Sequence, residues 1–302
     1  MPTPFKIKDS RLIADFLLLM VALFWGMSYG LAKTATLFYP VLGFLAIRFC
    51  IASIIISPAL LRLNRSQLTQ TLTKGPPLGF ILLIIFIAET YGLFYTTASN
   101  AAFLISLCII LTPFVEWLLL NTKPTPKIIA AAIISTIGAL FLSVSGNFNF
   151  TFNRGDGFIL FAALMRGFMV VCTRKLIQNT EIPSLALTAV QTGVVGLGCL
   201  LLGTALLPEG LPPIPWTGDF WVPTFLLIVL CTLFAFFAQN YALSKTTPTR
   251  VSLLMGTEPV FGALFAVIYL SERLSPIGWL GGLMMVFASI WAVLPEPRKN
   301  SR

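Results

Sequence analysis

Four charged residues lie within long apolar stretches of the sequence: Arg48, Glu89, Arg166 and Glu258. A charge at the centre of a bilayer costs roughly 2.5 to 3.5 kcal/mol on insertion scales, so a charge at this depth usually binds a solute or pairs with another charge. Glu89 is a candidate for binding an ammonium group or a coupling proton, and a partner role for Arg48 or Arg166 is the alternative. Arg166 is a candidate for binding a carboxylate or phosphate, or for gating, with an ion pair as the alternative.

Two prolines interrupt apolar segments that carry further polar groups. Pro259 follows Glu258 directly, and because proline has no amide proton it leaves the carbonyl of Met255 without its helical hydrogen bond. Pro113 lies in a similar segment and is preceded by a threonine. We therefore expect helix kinks at Pro113 and Pro259, with Glu258 either supporting the hinge or contacting a solute.

Other candidates for lining a cavity are polar and aromatic. They are Trp25, Tyr29, Tyr91, Tyr95, Asn100, Gln239 and Asn240. Tyr91 and Tyr95 are four residues apart and share one helix face, although either one would also suit an interfacial anchor. Gln239 and Asn240 are adjacent and cannot share a face, so we expect at most one of them to line a cavity.

Composition places these residues in a membrane protein. The 302 residues have a mean hydropathy of +0.91 and are 57% hydrophobic and only 10% charged, whereas about a quarter of a soluble domain is charged. The chain has no histidine, and its five cysteines form no CxxC pair. These absences argue against metal sites and histidine-based catalysis, and the lack of a nucleotide-binding glycine motif argues against ATP-driven transport. We expect no cofactor, no catalytic residue and no metal site.

Ten apolar segments have the length of about 20 residues that a membrane-spanning helix needs. They fall at about 11–32, 40–60, 78–97, 100–120, 127–145, 157–177, 184–206, 222–243, 249–270 and 276–294. With both termini placed in the cytoplasm, fifteen lysines and arginines lie in inner segments, whereas only Lys33, Arg154 and Arg273 lie in outer ones. This asymmetry predicts a multi-pass protein of the cell inner membrane with both termini cytoplasmic.

The sequence also repeats itself. The stretch Tyr95 to Leu120 returns as Tyr241 to Ala266, and Ala14 to Gly26 returns as Gly155 to Gly167. The second alignment pairs Trp25 with Arg166, so these two side chains are expected to point toward the same central region. We predict a first repeat at 1–147 and a second at 148–302, and because each holds five spans the second is inverted.

Three motifs resemble a known family. The run Trp25 to Lys33 (WGMSYGLAK) resembles the opening of the EamA-type branch of the drug/metabolite transporter superfamily, and 95–113 and 248–272 resemble its fourth and ninth helices. The resemblance implies ten helices in two inverted halves around a central cavity, and the transport of amino acids or other metabolites. It also favours a structural ion pair for Arg48, which lies in a common second-helix pattern. Arg166 stands where the family more often has an aromatic residue, which marks a particular substrate.

The sequence therefore predicts an all-α integral membrane protein of ten transmembrane helices in two inverted five-helix repeats. The expected function is a secondary transporter or facilitator that exports small organic metabolites, with amino acids or related zwitterions as the first choice, by alternating access at a midplane cavity. An exporter of drug-like organic cations and a lipid-modifying membrane enzyme are the alternatives. The expected partners are a small-molecule substrate and the lipid bilayer, with a proton as a candidate coupling ion. We expect no nucleic acid, and a monomer or homodimer.

Overall fold

Helices account for nearly all of the described chain. The computed structural model describes residues 4–144, 153–269 and 273–294, and none of these residues lies in a β-strand. The helices are α1 (Pro4–Phe38), α2 (Val41–Ile56), α3 (Arg65–Tyr95), α4 (Ala98–Ser106), α5 (Cys108–Leu120), α6 (Pro126–Val144), α7 (Arg154–Ile177), α8 (Ser184–Leu206), α9 (Gly218–Ile228), α10 (Ala235–Lys245), α11 (Pro248–Met255), α12 (Glu258–Tyr269) and α13 (Pro276–Val293). The predicted repeat boundary at 147/148 lies outside the described residues.

The helices match the predicted membrane spans. Within the described ranges, nine helical segments are long and apolar enough to cross a membrane. One of them joins α4 and α5, and another joins α9 and α10 through a π-helical stretch, Val229–Phe234. The remaining predicted segment, 249–270, consists of α11 and α12, which are interrupted at Gly256 and Thr257. The predicted all-α membrane fold is thus confirmed.

The third span begins earlier than its hydropathy predicts. Hydropathy places the start of this helix near residue 78, whereas α3 begins at Arg65. Asn64 and Gln67 form a capping box, in which each side chain accepts a hydrogen bond from the other residue's backbone amide. The cap satisfies amides that would otherwise lack partners, so the helix can start in a polar segment and run on through Pro76 and Pro77.

The two halves are related by inversion. α2 and α8 occupy equivalent positions in the two repeats and pack against each other in opposite directions, since Gly203 lies against Leu42 and Gly196 lies against Cys50. The equivalent helices α6 and α13 are also antiparallel. Equivalent helices that meet antiparallel require a pseudo-two-fold axis perpendicular to the helices, which lies in the membrane plane.

Glycines allow two of these contacts to be close. A Cβ atom on Gly281 would lie 2.4 Å from the carbonyl oxygen of Gly138, and one on Gly196 would lie 2.6 Å from the amide nitrogen of Cys50. Both distances are to backbone atoms, which have no rotamer to change. Small residues therefore set the spacing of both symmetric helix pairs.

Helices α1 and α7 lie where the halves meet. α1 packs on α9 and α10 and on α11 and α12, whereas α7 packs on α3 and on α4 and α5. The helices that α1 contacts in the second half are thus the repeat equivalents of the helices that α7 contacts in the first half. We call the side where α1 begins and α13 ends the terminal side, and the side where α6 ends and α7 begins the far side.

The helices that carry the two prolines are broken at different places. α11 ends at Met255 and α12 begins at Glu258, so the break immediately precedes Pro259. In the first half the break is at Leu107, and Pro113 lies inside the continuous helix α5. The interruption therefore coincides with the proline only in the second half.

Candidate functional site

Arg166 joins carboxylates from both halves of the molecule. Its Nη1 atom lies 3.4 Å from Oε2 of Glu258 on α12, and its Nε atom lies 3.9 Å from Oε2 of Glu89 on α3. The side chains of Arg166, Glu89 and Glu258 are 14%, 16% and 6% exposed. Glu89 and Arg166 lie within long apolar helices and Glu258 is the first residue of α12, and we treat the three as one charged group between the halves.

Trp25 forms one wall of this group. The Cζ atom of Arg166 lies 4.6 Å from the centroid of the Trp25 ring, which is a cation–π contact. The indole Nε1 of Trp25 donates to the carbonyl of Cys231 at 3.0 Å, which fixes the orientation of the ring. Trp25 on α1 and Arg166 on α7 are equivalent in the repeat, and they contact each other directly.

Two buried polar atoms nearby are without a hydrogen-bond partner of normal geometry among the described residues. They are Oε1 of Gln239 and the hydroxyl of Tyr29, which lies against the carboxylate of Glu258. Gln239 lines the same small void as Glu89 and Trp25. Buried polar atoms in native proteins are nearly always hydrogen-bonded. Both atoms are therefore available to a solute that reaches the charged group.

The site is closed in this conformation. Two voids flank Arg166, one beside Cys108 and Ser252 and the other beside Glu89 and Gln239, with volumes of about 20 and 30 Å³. A cavity of this size holds one or two water molecules. Binding of an organic solute therefore requires the helices around Arg166 to separate.

Arg48 does not form the ion pair predicted for it with any carboxylate in the described part of the chain. Its Nε atom donates to Thr232 Oγ1 at 2.7 Å and its Nη2 atom to the carbonyl of Cys231 at 3.3 Å. Its Cζ atom lies 5.2 Å from the ring centroids of Phe49 and of Phe86. The prediction is wrong because α2 faces a segment that offers neutral oxygen acceptors and aromatic faces in place of a carboxylate.

That segment is the π-helical stretch Val229–Phe234, which the sequence analysis missed. Its wide turn lets the Thr232 hydroxyl donate to the carbonyl of Leu227, five residues earlier, while the oxygen accepts from Arg48. The carbonyl of Cys231 accepts from both Trp25 and Arg48. π-Helical turns are rare and frequently lie at functional sites. The only signal in the sequence was one threonine within an apolar run.

Several predicted cavity residues lie elsewhere. Asn240 donates to Thr188 and Gln191 of α8, so of the adjacent pair only Gln239 faces the charged group. Tyr95, at the end of α3, is 54% exposed and packs edge-on against Phe94, and it does not reach the group. Tyr91 is partly buried against the core and does not line the voids beside Arg166.

Asn100 belongs to a separate cluster on the far side. Its Nδ2 atom donates to Oδ1 of Asp156 at 3.4 Å, and the Thr96 hydroxyl donates to the same oxygen at 2.6 Å. Asp156 also caps the first turn of α7 together with Asn153. This cluster ties the turn between α3 and α4 to the start of α7.

Two contacts on the terminal side were not predicted as pairs. Arg250 on α11 binds both carboxylate oxygens of Asp15 on α1, with its Nε atom 2.9 Å from Oδ1. Glu116 on α5 is buried and accepts from both the amide and the hydroxyl of Thr249. The repeat alignment pairs Asp15 with Asp156, and this was the available signal for the first contact.

Comparison with known proteins agrees with this architecture. The model of the EamA-like transporter family matches residues 12–144 and 153–294. An uncharacterized transporter of Archaeoglobus fulgidus is 27% identical over 288 residues, which cover 93% of this chain and 85% of the relative. A second uncharacterized transporter of the same organism is 24% identical over 211 residues, which cover 69% of this chain and 70% of that protein.

A solved crystal structure shares the fold. It superposes with a TM-score of 0.73 at 17% sequence identity, and the match covers 93% of this chain and 96% of the other. The family match falls on each half in turn and leaves out only the connection between them and the two ends of the chain. The two inverted halves that meet at Arg166 are thus the two copies of the family's module, and this chain belongs to the EamA-like transporter family.

Proposed function

We propose that this transporter is a secondary exporter of small organic solutes that carry an ammonium group, with amino acids and related zwitterions as the first class. The solute binds at the charged group of Arg166, Glu89 and Glu258. The two halves open alternately to either side of the cell inner membrane, with both termini in the cytoplasm. The observation that carries the proposal is the ion-paired Arg166 between carboxylates of different halves.

The contacts of the charged group support this substrate class. A zwitterion presents a carboxylate that suits the Arg166 fork and an ammonium group that suits Glu89 or Glu258. Binding would therefore replace ion pairs within the protein by ion pairs of the same kind with the solute. Such an exchange offsets much of the cost of separating Arg166 from its partners. The buried oxygens of Tyr29 and Gln239 offer further hydrogen bonds.

Organic cations are the second candidate class, and one observation favours them. In the described part of the chain, two carboxylates and one guanidinium line the closed site, and the Trp25 ring offers a face that attracts cations. A monocation would then bind between the carboxylates in place of Arg166. The two classes differ in the net charge of the solute.

Transport can be tested in proteoliposomes loaded with radiolabelled neutral amino acids or with labelled organic amines. We expect efflux of at least one of the amino acids, and we expect Arg166→Gln to reduce its rate at least tenfold because the solute carboxylate loses its partner. Arg62→Gln is the matched control, since Arg62 is exposed in the short helical turn after α2.

The results separate the alternatives. Efflux of amines alone would replace the zwitterion class by the cation class. An Arg166→Gln protein that transports amino acids as fast as the wild type would remove the charged group from the mechanism. Full efflux by Arg62→Gln is required for either conclusion.

A further inference from the structure

The guanidinium group of Arg48 is a buried positive charge that aromatic side chains separate from the charged group. The guanidinium group lies against the rings of Phe49 and Phe86, which also contact each other. Phe86 also lines the void that contains Glu89 and Arg166, whereas Arg48 does not. The guanidinium group therefore lies behind the wall of the site and has no contact with a solute inside it.

This charge has no direct counter-ion among the described side chains. Arg48 is 4% exposed, and its hydrogen bonds go to the neutral oxygens of Thr232 and Cys231. The carboxylate whose charge acts on it is Glu89, across the Phe86 ring. A buried charge without a contacting partner is expensive. Its cost is reduced here by the field of the Glu89 carboxylate, which it does not touch.

The charges that line the closed site do not balance without Arg48. With both carboxylates ionised, Glu89 and Glu258 contribute two negative charges and Arg166 contributes one positive charge, which leaves an excess of one negative charge. Arg48 brings the total for the centre of the molecule to zero. In the low-dielectric interior, charges that do not touch still interact because they are weakly screened. The charge of Arg48 therefore counts in the balance together with those of Glu89, Glu258 and Arg166. A solute of zero net charge preserves the balance, whereas a monocation or an anion disturbs it.

We propose that Arg48 selects the net charge of the solute, so that the site prefers zwitterions to monocations of the same shape. The inference rests on the proposed function and names a residue that determines its specificity without contacting the solute. If the positive charge of Arg48 is removed or neutralised, the site is left with one excess negative charge. Its preference then shifts toward solutes of net charge +1.

The test uses leucine and leucinamide, which have nearly equal shape, and N-acetylleucine, in which an acetyl group replaces the ammonium charge. Their net charges at neutral pH are zero, about +1 and −1. Dissociation constants are measured on the purified protein from ligand-induced thermal stabilisation. We expect wild type to bind leucine more tightly than either analogue. In Arg48→Gln the ratio of leucinamide to leucine affinity should rise about tenfold, as expected for one charge at roughly 10 Å with an effective dielectric constant near 20.

Three further variants separate charge from structure. Arg48→Lys keeps the charge and should keep the wild-type ratio. Thr232→Asp leaves Arg48 in place and adds a carboxylate where its Nε atom now donates, so it should shift the ratio in the same direction as Arg48→Gln. Thr232→Asn is its uncharged control and should leave the ratio unchanged. A purely structural role of Arg48 would lower the stability of these proteins without changing the order of the ligands.

The outcomes distinguish this inference from the function on which it rests. An unchanged ratio in both Arg48→Gln and Thr232→Asp, with leucine still bound, overturns the role of Arg48 and leaves amino-acid transport standing. Tighter binding of leucinamide than leucine by wild type also overturns it. A wild-type protein that binds none of the three ligands overturns the amino-acid class, and the role of Arg48 falls with it.

Discussion

At the scale of single residues, Arg166 is shared unequally by its two partners. Glu258 lies closer to the guanidinium group than Glu89 does and is the more deeply buried of the two carboxylates. Glu258 therefore has less access to water if the ion pair is lost. This difference leads to a test of how the charged group contributes to stability.

We predict that Glu258→Gln destabilises the protein by about 3 kcal/mol, because the loss of one partner leaves part of a buried ion pair uncompensated. Glu89→Gln should cost clearly less. The free energy of unfolding in detergent, measured by denaturant titration, checks the order. Glu181→Gln, at an exposed position in the turn before α8, is the control and should have no effect. Equal losses for the two central variants would contradict an unequal sharing of Arg166.

The sequence identified the residues of the charged group but not how they pair. Arg48, Glu89, Arg166 and Glu258 stand out because charges are rare in apolar segments. Which of them touch depends on the separation and rotation of α2, α3, α7 and α12, and these quantities are set by packing. Arg48 shows the difference, since its partners are a backbone carbonyl and a hydroxyl in a π-helical turn that no residue pattern predicted.

At the scale of helices, α1 and α12 touch at the level of the charged group. A Cβ atom on Gly26 would lie 2.6 Å from the carbonyl oxygen of Glu258 and 2.7 Å from the amide nitrogen of Gly262. The absence of a side chain at Gly26 thus permits the backbone of Glu258 to approach α1. The position of the Glu258 carboxylate depends on this contact.

We predict that Gly26→Ala destabilises the protein by about 1–3 kcal/mol, the usual cost of overpacking a close contact. It should also weaken solute binding, because α12 must move away from α1 together with Glu258. Gly30→Ala is the matched control one turn later, where a Cβ atom would have no neighbour within 4 Å. It should stabilise the helix by up to about 1 kcal/mol. Thermal unfolding with and without ligand tests both effects, and a tolerated Gly26→Ala would show that the α1 to α12 spacing is adjustable.

At the scale of the whole molecule, different contacts close the two sides. On the terminal side, Arg250 binds Asp15 through two hydrogen bonds and Glu116 accepts from Thr249. On the far side, Asp156 accepts from Thr96 and Asn100, which are neutral. All of these bonds are charge-assisted because a carboxylate accepts them, but the donor Arg250 on the terminal side is itself charged, so its contact with Asp15 is an ion pair. The inverted halves therefore differ in chemistry although their helices are related by symmetry.

We predict that Asp15→Asn favours opening on the terminal side. Cys108 lies in the void between Arg166 and Ser252, so its reaction with a charged thiol reagent reports access to the site. In a protein whose other four cysteines are alanine, Asp15→Asn should raise the labelling rate several-fold, because it removes the charge that holds Arg250. Asp219→Asn changes an exposed aspartate at the start of α9 and is the control. Equal labelling rates in the two variants would mean that the Asp15 contact does not limit opening.

The sequence alone determined the membrane class, the ten spans, the duplication and the four charges in the middle of apolar segments. Each of these follows from local composition or from a repeat along the chain, which do not require knowledge of how the helices pack. Only the tertiary structure decided that Arg166 joins Glu89 to Glu258, that Gln239 and not Asn240 faces the site, and that Tyr95 and Asn100 lie elsewhere. Those contacts join residues far apart in the chain, and they depend on helix rotation and on backbone approaches at glycine that apolar periodicity does not encode.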